Sequence, residues 1–277
     1  MIFHYDIAQL VPYINWAYFF FAWQLKDEQE QQRVRREAEA FLQEIGPRYR
    51  VHALWLLAEA YSDGDDIVVR QGDELVRIPC LRQQTGKAPF LCLADFLSPL
   101  SNLNSQLSIL NSQLSTLLGL FATTVDAGLE SDFNADPYQK MMAQLLADRL
   151  AEAAAECLHE DVRKRLWGYA PDEHLSVDEL HQEHFQGIRP AVGYPSLPDA
   201  SINFLIDRLL DFRQIGLRLT ESGAMRPHAS VSGMMFAHPE ARYFAVGKIG
   251  EDQLADYASR RGIPLVMARK FLAANLQ

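Results

Sequence analysis

An arginine set among prolines and glycines is the chain's leading candidate for gripping a small anion. In Gln186-Gly187-Ile188-Arg189-Pro190-Ala191-Val192-Gly193-Tyr194-Pro195, two prolines fix φ and two glycines permit angles that other residues resist. A regular helix or central strand is excluded. The expectation is a rigid, exposed loop that projects Arg189 and leaves backbone N–H and C=O groups free nearby. A fixed guanidinium beside free amides suits a small ligand with a carboxylate and a flat ring. An ordinary connector with a surface arginine fits the same pattern. Two further groupings carry chemistry. Asp148, Glu152 and Glu156 recur every four residues on one helix face, where acids repel mildly and a solvated face is the common cause. Glu156-x-x-His159 has the spacing of half a di-iron bundle site, with His181-x-x-His184 further on. The second Glu-x-x-His that such a site needs is missing, so these histidines read as surface groups. Ser222, Ser230 and Ser232 with His228 and His238 lack a G-x-S-x-G elbow, which argues against a hydrolase.

The elements that must position these groups follow from periodicity. Residues 5–23 read as a helical opening that ends in an aromatic patch, Trp16 to Trp23, most of it core. A charged helix over 27–45 carries Val34, Ala38, Phe41, Leu42 and Ile45 at helical spacing and stops at Gly46-Pro47. Val51 to Ala60, Ile67 to Arg70 and Leu75 to Ile78 suit strands of an antiparallel meander, with Phe90 to Leu93 a further one. Residues 118–127 supply another strand. The longest helix spans about 136–166, with Pro137 in its first turn and an apolar stripe through Met142, Leu146, Leu150 and Ala153. Ser176 and Glu179 form a capping box ahead of the arginine loop. Residues 201–214 are helical, 225–236 and 243–249 a returning strand pair, and 251–274 two short helices. No linker divides the chain, so residues 1–277 read as a single α+β domain, a twisted antiparallel sheet meander with flanking helices. Within it, Asn104–Leu110 is nearly repeated by Asn111–Leu117, with leucines at heptad spacing.

Twenty-six basic residues against 36 acidic ones give a net charge of −10. That balance argues against a nucleic-acid backbone or an anionic membrane as partner. Cys80, Cys92 and Cys157 have no C-x-x-C spacing and sit among apolar neighbours. They read as free thiols in a reducing compartment. No basic segment with a cleavage site opens the chain, and the aromatic run is too short to span a bilayer. The cytoplasm is the expected location.

The R-x-x-x-G-Y pattern of Arg189, Gly193 and Tyr194 resembles the activation domain of cobalamin-dependent methionine synthase. Further motifs in the same order extend the resemblance. They include Asn15-Trp16-Ala17-Tyr18-Phe19-Phe20, Leu81-Arg82-Gln83-Gln84, Leu93-Ala94-Asp95-Phe96 and Asp148-Arg149-Leu150-Ala151-Glu152-Ala153. Trp167-Gly168-Tyr169-Ala170-Pro171, Leu219-Thr220-Glu221-Ser222, Ser230-Val231-Ser232-Gly233 and His238-Pro239-Glu240-Ala241-Arg242-Tyr243 complete them. The matches run from about residue 13 to the C-terminus. Against that family, the stretch near 99–118 looks like a loop insertion, either an inert duplication or a partner-binding helix.

The resemblance implies a module that binds S-adenosylmethionine and covers a cobalamin held by another protein domain. It implies that Arg189 takes the ligand carboxylate, that backbone at Ala191 meets adenine, and that Gly193, Tyr194, Tyr243 and Phe244 shape the pocket. Glu152 and Glu183 match acids tied to the ligand. No side chain is implied as acid, base or nucleophile. The methyl group passes to cobalt reduced by flavodoxin or a similar electron donor, which restores methionine synthase for methionine biosynthesis. Nothing here resembles the homocysteine, folate or cobalamin domains, so a cobalamin-binding methionine synthase core is expected in trans. Two departures stand out. Asn15 replaces an aspartate, which costs about 1–2 kcal/mol if a charge-assisted hydrogen bond becomes a neutral one. The family's C-P-[DE]-H is Leu197-Pro198-Asp199-Ala200, without the histidine expected where the partner approaches. Both modestly favour the alternative, a binding or regulatory protein of this fold that has lost the reaction.

Overall fold

The computed structural model describes residues 1–99 and 116–277. The chain opens on strand β1 (Ile2–Asp6), which takes residues 5 and 6 from the helical opening expected over 5–23. The Met1 ammonium donates to Trp55 O at 2.7 Å, and Ile2–Asp6 pairs antiparallel with residues 50–54. Helices α1 (Ile7–Leu10), α2 (Trp16–Ala22) and α3 (Glu28–Ile45) follow. Of the aromatic patch only Phe19 is fully buried, while Tyr18 and Phe21 are exposed. The short α2 has one inward face, so six aromatic residues in eight positions cannot all reach it.

Strands β2 (Arg50–Asp63), β3 (Asp66–Gln71) and β4 (Glu74–Pro79) form the meander, and β5 (Leu117–Val125) returns to pair with the other edge of β2. Leu117 therefore begins a strand, while residues 100–115, with most of the leucine repeat, lie outside those described. Phe90 to Leu93 is not a strand: a 3-10 turn over Leu93–Phe96 follows, and the Asp95 carboxylate accepts from Cys92 N at 2.8 Å. Next come α4 (Gly128–Ser131), α5 (Pro137–Asp161), α6 (Val177–His181) and α7 (Asn203–Leu210). The hairpin β6 (Arg218–Leu219) and β7 (Met225–Arg226) precedes β8 (Ser230–Met235), α8 (Glu251–Arg261) and α9 (Leu265–Phe271). Among the described residues the main sheet has six strands, ordered β4-β3-β2-β5-β8, with β1 also on β2. The fourteen residues of β2 are long enough to hold β1 at one end and β3 at the other.

Strand alternation sorts the core onto two faces. Leu54, Leu120 and Met234 pack with Ile206 and Leu209 of α7. Trp55, Phe121 and Met235 turn the other way, onto Ala151, Ala155 and Leu158 of α5. Each large side chain buried this way contributes about 1.5–3 kcal/mol. The alanines let α5 approach closely enough for Thr123 Oγ1 to donate to Ala151 O at 2.9 Å. Asp136 caps α5, accepting from Tyr138 N at 2.8 Å, with Pro137 in the first turn. A π-helical turn, Val162–Leu166, ends it.

The first part of the arginine loop is seated on this sheet, with Gly187, Ile188, Pro190, Ala191 and Val192 buried, while Gly193, Tyr194 and Pro195 are exposed as expected. Ile188 bridges Phe236 and Ala191 bridges Gly233 in an irregular extension beside β8. Met234 N donates to Pro190 O at 3.1 Å, and Val192 N donates to Ser232 O at 2.9 Å. A Cβ at Gly233 would lie 2.3 Å from Pro190 O, and one at Gly187 2.2 Å from Phe236 O. Tyr243 to Ile249 is no strand either. It crosses over the loop, with Val246 N donating to Pro195 O at 2.9 Å, and among the described residues an isolated bridge from Ile249 to Leu276 is all the strand pairing it makes. Gly233→Ala should therefore push the loop off β8 and destabilise the protein by about 1–3 kcal/mol. Urea denaturation measures this; an unchanged midpoint would mean that the loop is not held by this contact.

Candidate functional site

Arg189 points inward, against the expectation of a projecting side chain. It and Glu156 on α5 are only 16% and 7% exposed at their side chains, and Nη2 donates to Oε2 at 2.5 Å. The Arg189 N–H donates to the Tyr243 hydroxyl at 2.9 Å, which ties the loop to the crossing segment. Burial alone would lower the Arg189 pKa, but the charges of Glu156, Tyr243 and Glu152 outweigh it and hold it above its ordinary value. The pair is incomplete. Arg189 Nε and Glu156 Oε1 are both buried with no partner among the described residues. Such atoms carry a desolvation penalty of about 1–3 kcal/mol.

The pair lies on a cavity of about 660 Å³ between α5, the start of α2, the segment after α6, and the loop. Glu152 stands one turn before Glu156 and accepts from the Tyr194 hydroxyl at 2.5 Å. Burial, then the Glu152 charge, raises the Tyr194 pKa. Tyr194 is still 52% exposed and forms part of the mouth. Gly193 does not line the cavity. Its φ of 88° makes the turn that aims Tyr194 back at α5, with its N–H donating to Leu197 O at 2.8 Å. Ala191 lies on the wall. Its C=O accepts from Tyr194 N, whereas its N–H makes no hydrogen bond among the described residues.

Asn15 lines the cavity as the N-cap of α2, where Oδ1 accepts from Tyr18 N at 3.4 Å. Glu183 faces the same space from a left-handed backbone position, φ 60°. Burial raises its pKa, Arg189 lowers it, and Glu156 raises it, for a net rise. Tyr243 and Phe244 form the opposite wall, where Ser196 Oγ donates to Phe244 O. All the expected residues except Gly193 thus meet at one cavity. Asp199 is buried elsewhere and accepts from Tyr257 OH at 2.6 Å and Ser201 N at 2.7 Å, which fastens the end of the loop to α8.

Sequence reasoning missed several members. Arg149 and Tyr18 also line the cavity, the guanidinium carbon 6.0 Å from the ring centroid. Glu156, read as part of a solvated face, is buried. Its place one turn after Glu152 was the signal that could have paired it with the site. The wall thus holds three carboxylates, Glu152, Glu156 and Glu183, against two guanidiniums, Arg149 and Arg189, one negative charge in excess. Behind it Phe185 is backed by Arg163 at 4.3 Å and meets the His159 ring edge-on at 4.8 Å. Glu173 holds Arg163 through Nε and Nη2, each at 2.8 Å. Burial, reinforced by Arg163 and Arg189, keeps the His159 pKa well below its ordinary value. His181 bonds to Tyr13 O at 3.1 Å. Among the described residues no group of three or more His, Cys, Asp or Glu is arranged to hold a metal, and no helix is long and apolar enough to cross a membrane.

Comparison with known proteins places the fold in a family. A solved structure described as the MetH reactivation domain bound to AdoHcy superposes with a TM-score of 0.88 at 39% sequence identity, covering 100% of this chain and 90% of that one. Residues 6–262 match the family model described as the vitamin B12 dependent methionine synthase activation domain. The chain belongs to the activation-domain family of vitamin B12-dependent methionine synthase.

Proposed function

We propose that the chain binds S-adenosylmethionine in this cavity and presents it to a cobalamin held by a methionine synthase core, in the cytoplasm. The observation that carries this reading is the buried, half-satisfied Arg189–Glu156 pair on a wall with one excess negative charge. S-adenosylmethionine has a carboxylate for a guanidinium and a net positive charge for such a wall. A cavity of about 660 Å³ lies within the range of small-molecule sites, roughly 300–1,000 Å³. The AdoHcy bound to the related domain shares the adenosyl and amino-acid parts.

In this reading Arg189 takes the carboxylate and the free N–H of Ala191 meets the adenine edge. Glu152 and Glu183 face the ammonium and ribose, while Gly193 sets the turn and Tyr194, Tyr243 and Phe244 bound the ring. The ligand supplies an activated methyl group, and partner cobalamin, reduced by flavodoxin or a similar donor, receives it. The contribution of this chain is orientation and exclusion of water, without a catalytic acid or base. The same reading treats residues 1–277 as one activation-like unit with a loop insertion near 99–118.

The test mixes this protein, S-adenosylmethionine, a cob(II)alamin-carrying methionine synthase core and a low-potential donor, and follows methylcobalamin by its absorbance. Formation should require all four components. Arg189→Ala should weaken ligand binding by about 2–4 kcal/mol and suppress the yield at limiting ligand. Binding without methylcobalamin would favour the regulatory alternative, to which Asn15 and Ala200 lend support. Asn15 gives a second test. Asparagine and aspartate cap helices about equally, so Asn15→Asp should change stability by less than about 0.5 kcal/mol. It adds a negative charge to the wall, and calorimetric titration should show tighter S-adenosylmethionine binding with a smaller change for S-adenosylhomocysteine. Equal changes would assign the effect to the shared ammonium or ribose instead.

A further inference from the structure

We infer that Glu156 is the positioning residue for Arg189, holding the guanidinium so that its free edge faces the amino-acid end of the ligand. This rests on the proposed S-adenosylmethionine site. Nη2 is committed to Glu156 Oε2, and Nε is sealed from solvent without a partner. Nη1 makes no hydrogen bond among the described residues and is not among the sealed atoms, and Arg189 lines the cavity. Tyr243 holds the backbone of Arg189 but not its guanidinium. Among the described residues Glu156 is the single acid in ion-pair contact with it.

Position on the fold points the same way. Glu156 stands on α5 beside the buried Ala154 and Ala155, yet its own side chain lies on the cavity wall, only 7% exposed. A carboxylate buried there needs its cation, and a long arginine side chain needs a fixed counterion to keep one rotamer in a roomy cavity. Because Glu156 occupies Nη2 and leaves Nη1, it does not take the nitrogen that a ligand carboxylate would use. Pre-organisation of this kind lowers the ordering cost of binding.

The experiment measures calorimetric affinities of wild type, Glu156→Gln, Arg189→Ala and the double variant. The ligands are S-adenosylmethionine, S-adenosylhomocysteine and 5′-methylthioadenosine, which lacks the amino-acid end. Glu156→Gln should weaken both amino-acid-bearing ligands by about tenfold or more and leave 5′-methylthioadenosine within about twofold. In the Arg189→Ala background it should add no further loss for S-adenosylhomocysteine, so the cycle decides even where 5′-methylthioadenosine binds too weakly to titrate. Tighter binding in Glu156→Gln would make Glu156 a competitor and overturn the inference. Equal losses for all three ligands would reduce it to fold support, and a loss for S-adenosylmethionine alone would reduce it to a field effect. Either result overturns the inference while leaving the site reading intact. Failure of the wild type to bind S-adenosylmethionine or S-adenosylhomocysteine would instead remove the site reading itself.

Discussion

The site depends on a place where two backbones meet with no side chain between them. Gly233 on β8 sits against the carbonyl of Pro190, and Gly187 sits against that of Phe236. Bulk at either point would lift the loop by about an ångström, and with it shift the direction of Arg189. The loop is irregular, yet it inherits the rigidity of the sheet because its hydrogen bonds run to β8. Residues held to such tolerance by a sheet are better placed for recognition than residues on a free loop.

The second requirement falls on α5, which serves as core and wall at once. Its inward alanines pack against β2, β5 and β8. Glu152 and Glu156 look along the helix into the cavity. Past them lie His159 and Arg163, both fully buried. α5 and the π-helical turn that ends it therefore run from partly exposed acid at the mouth to a buried guanidinium clamped by Glu173. That clamp stiffens the segment carrying Phe185, so the rear of the cavity is braced by charge as well as by packing.

Much of this was legible in the chain beforehand, and the misses have physical causes. The helices over 28–45 and 137–161 and the strands around 54, 68, 76 and 121 followed from periodicity, because burial on one face leaves that pattern. The α+β sheet and the gathering of Asn15, Glu152, Glu183, Arg189, Tyr194 and Tyr243 agreed with the family resemblance. Tyr243 to Ile249 looked like a strand because it is extended and apolar, but a strand also needs a partner edge, which local pattern does not encode. β1 was hidden for the opposite reason: it is a short edge strand, and pairing with β2 defines it. Arg189 was expected to face solvent because a proline-rich loop usually does. Only the third dimension brings Glu156, thirty-three positions earlier, to its side.

The anchoring of Asp199 has a consequence for how distant parts of the chain share one equilibrium. The loop begins at the sheet and ends in a carboxylate held by Tyr257 of α8, and α8 packs on α9 and on Leu81. Any local opening of the C-terminal helices frees that end of the loop, and Val246, packed with those helices, also donates to Pro195 in its middle. A molecule that binds the loop as it is held here must therefore slow amide exchange in α8, which lines none of the cavity and meets it through Phe244. By the reciprocity of linkage, a ligand that steadies α8 raises the affinity of the cavity by the same coupling free energy.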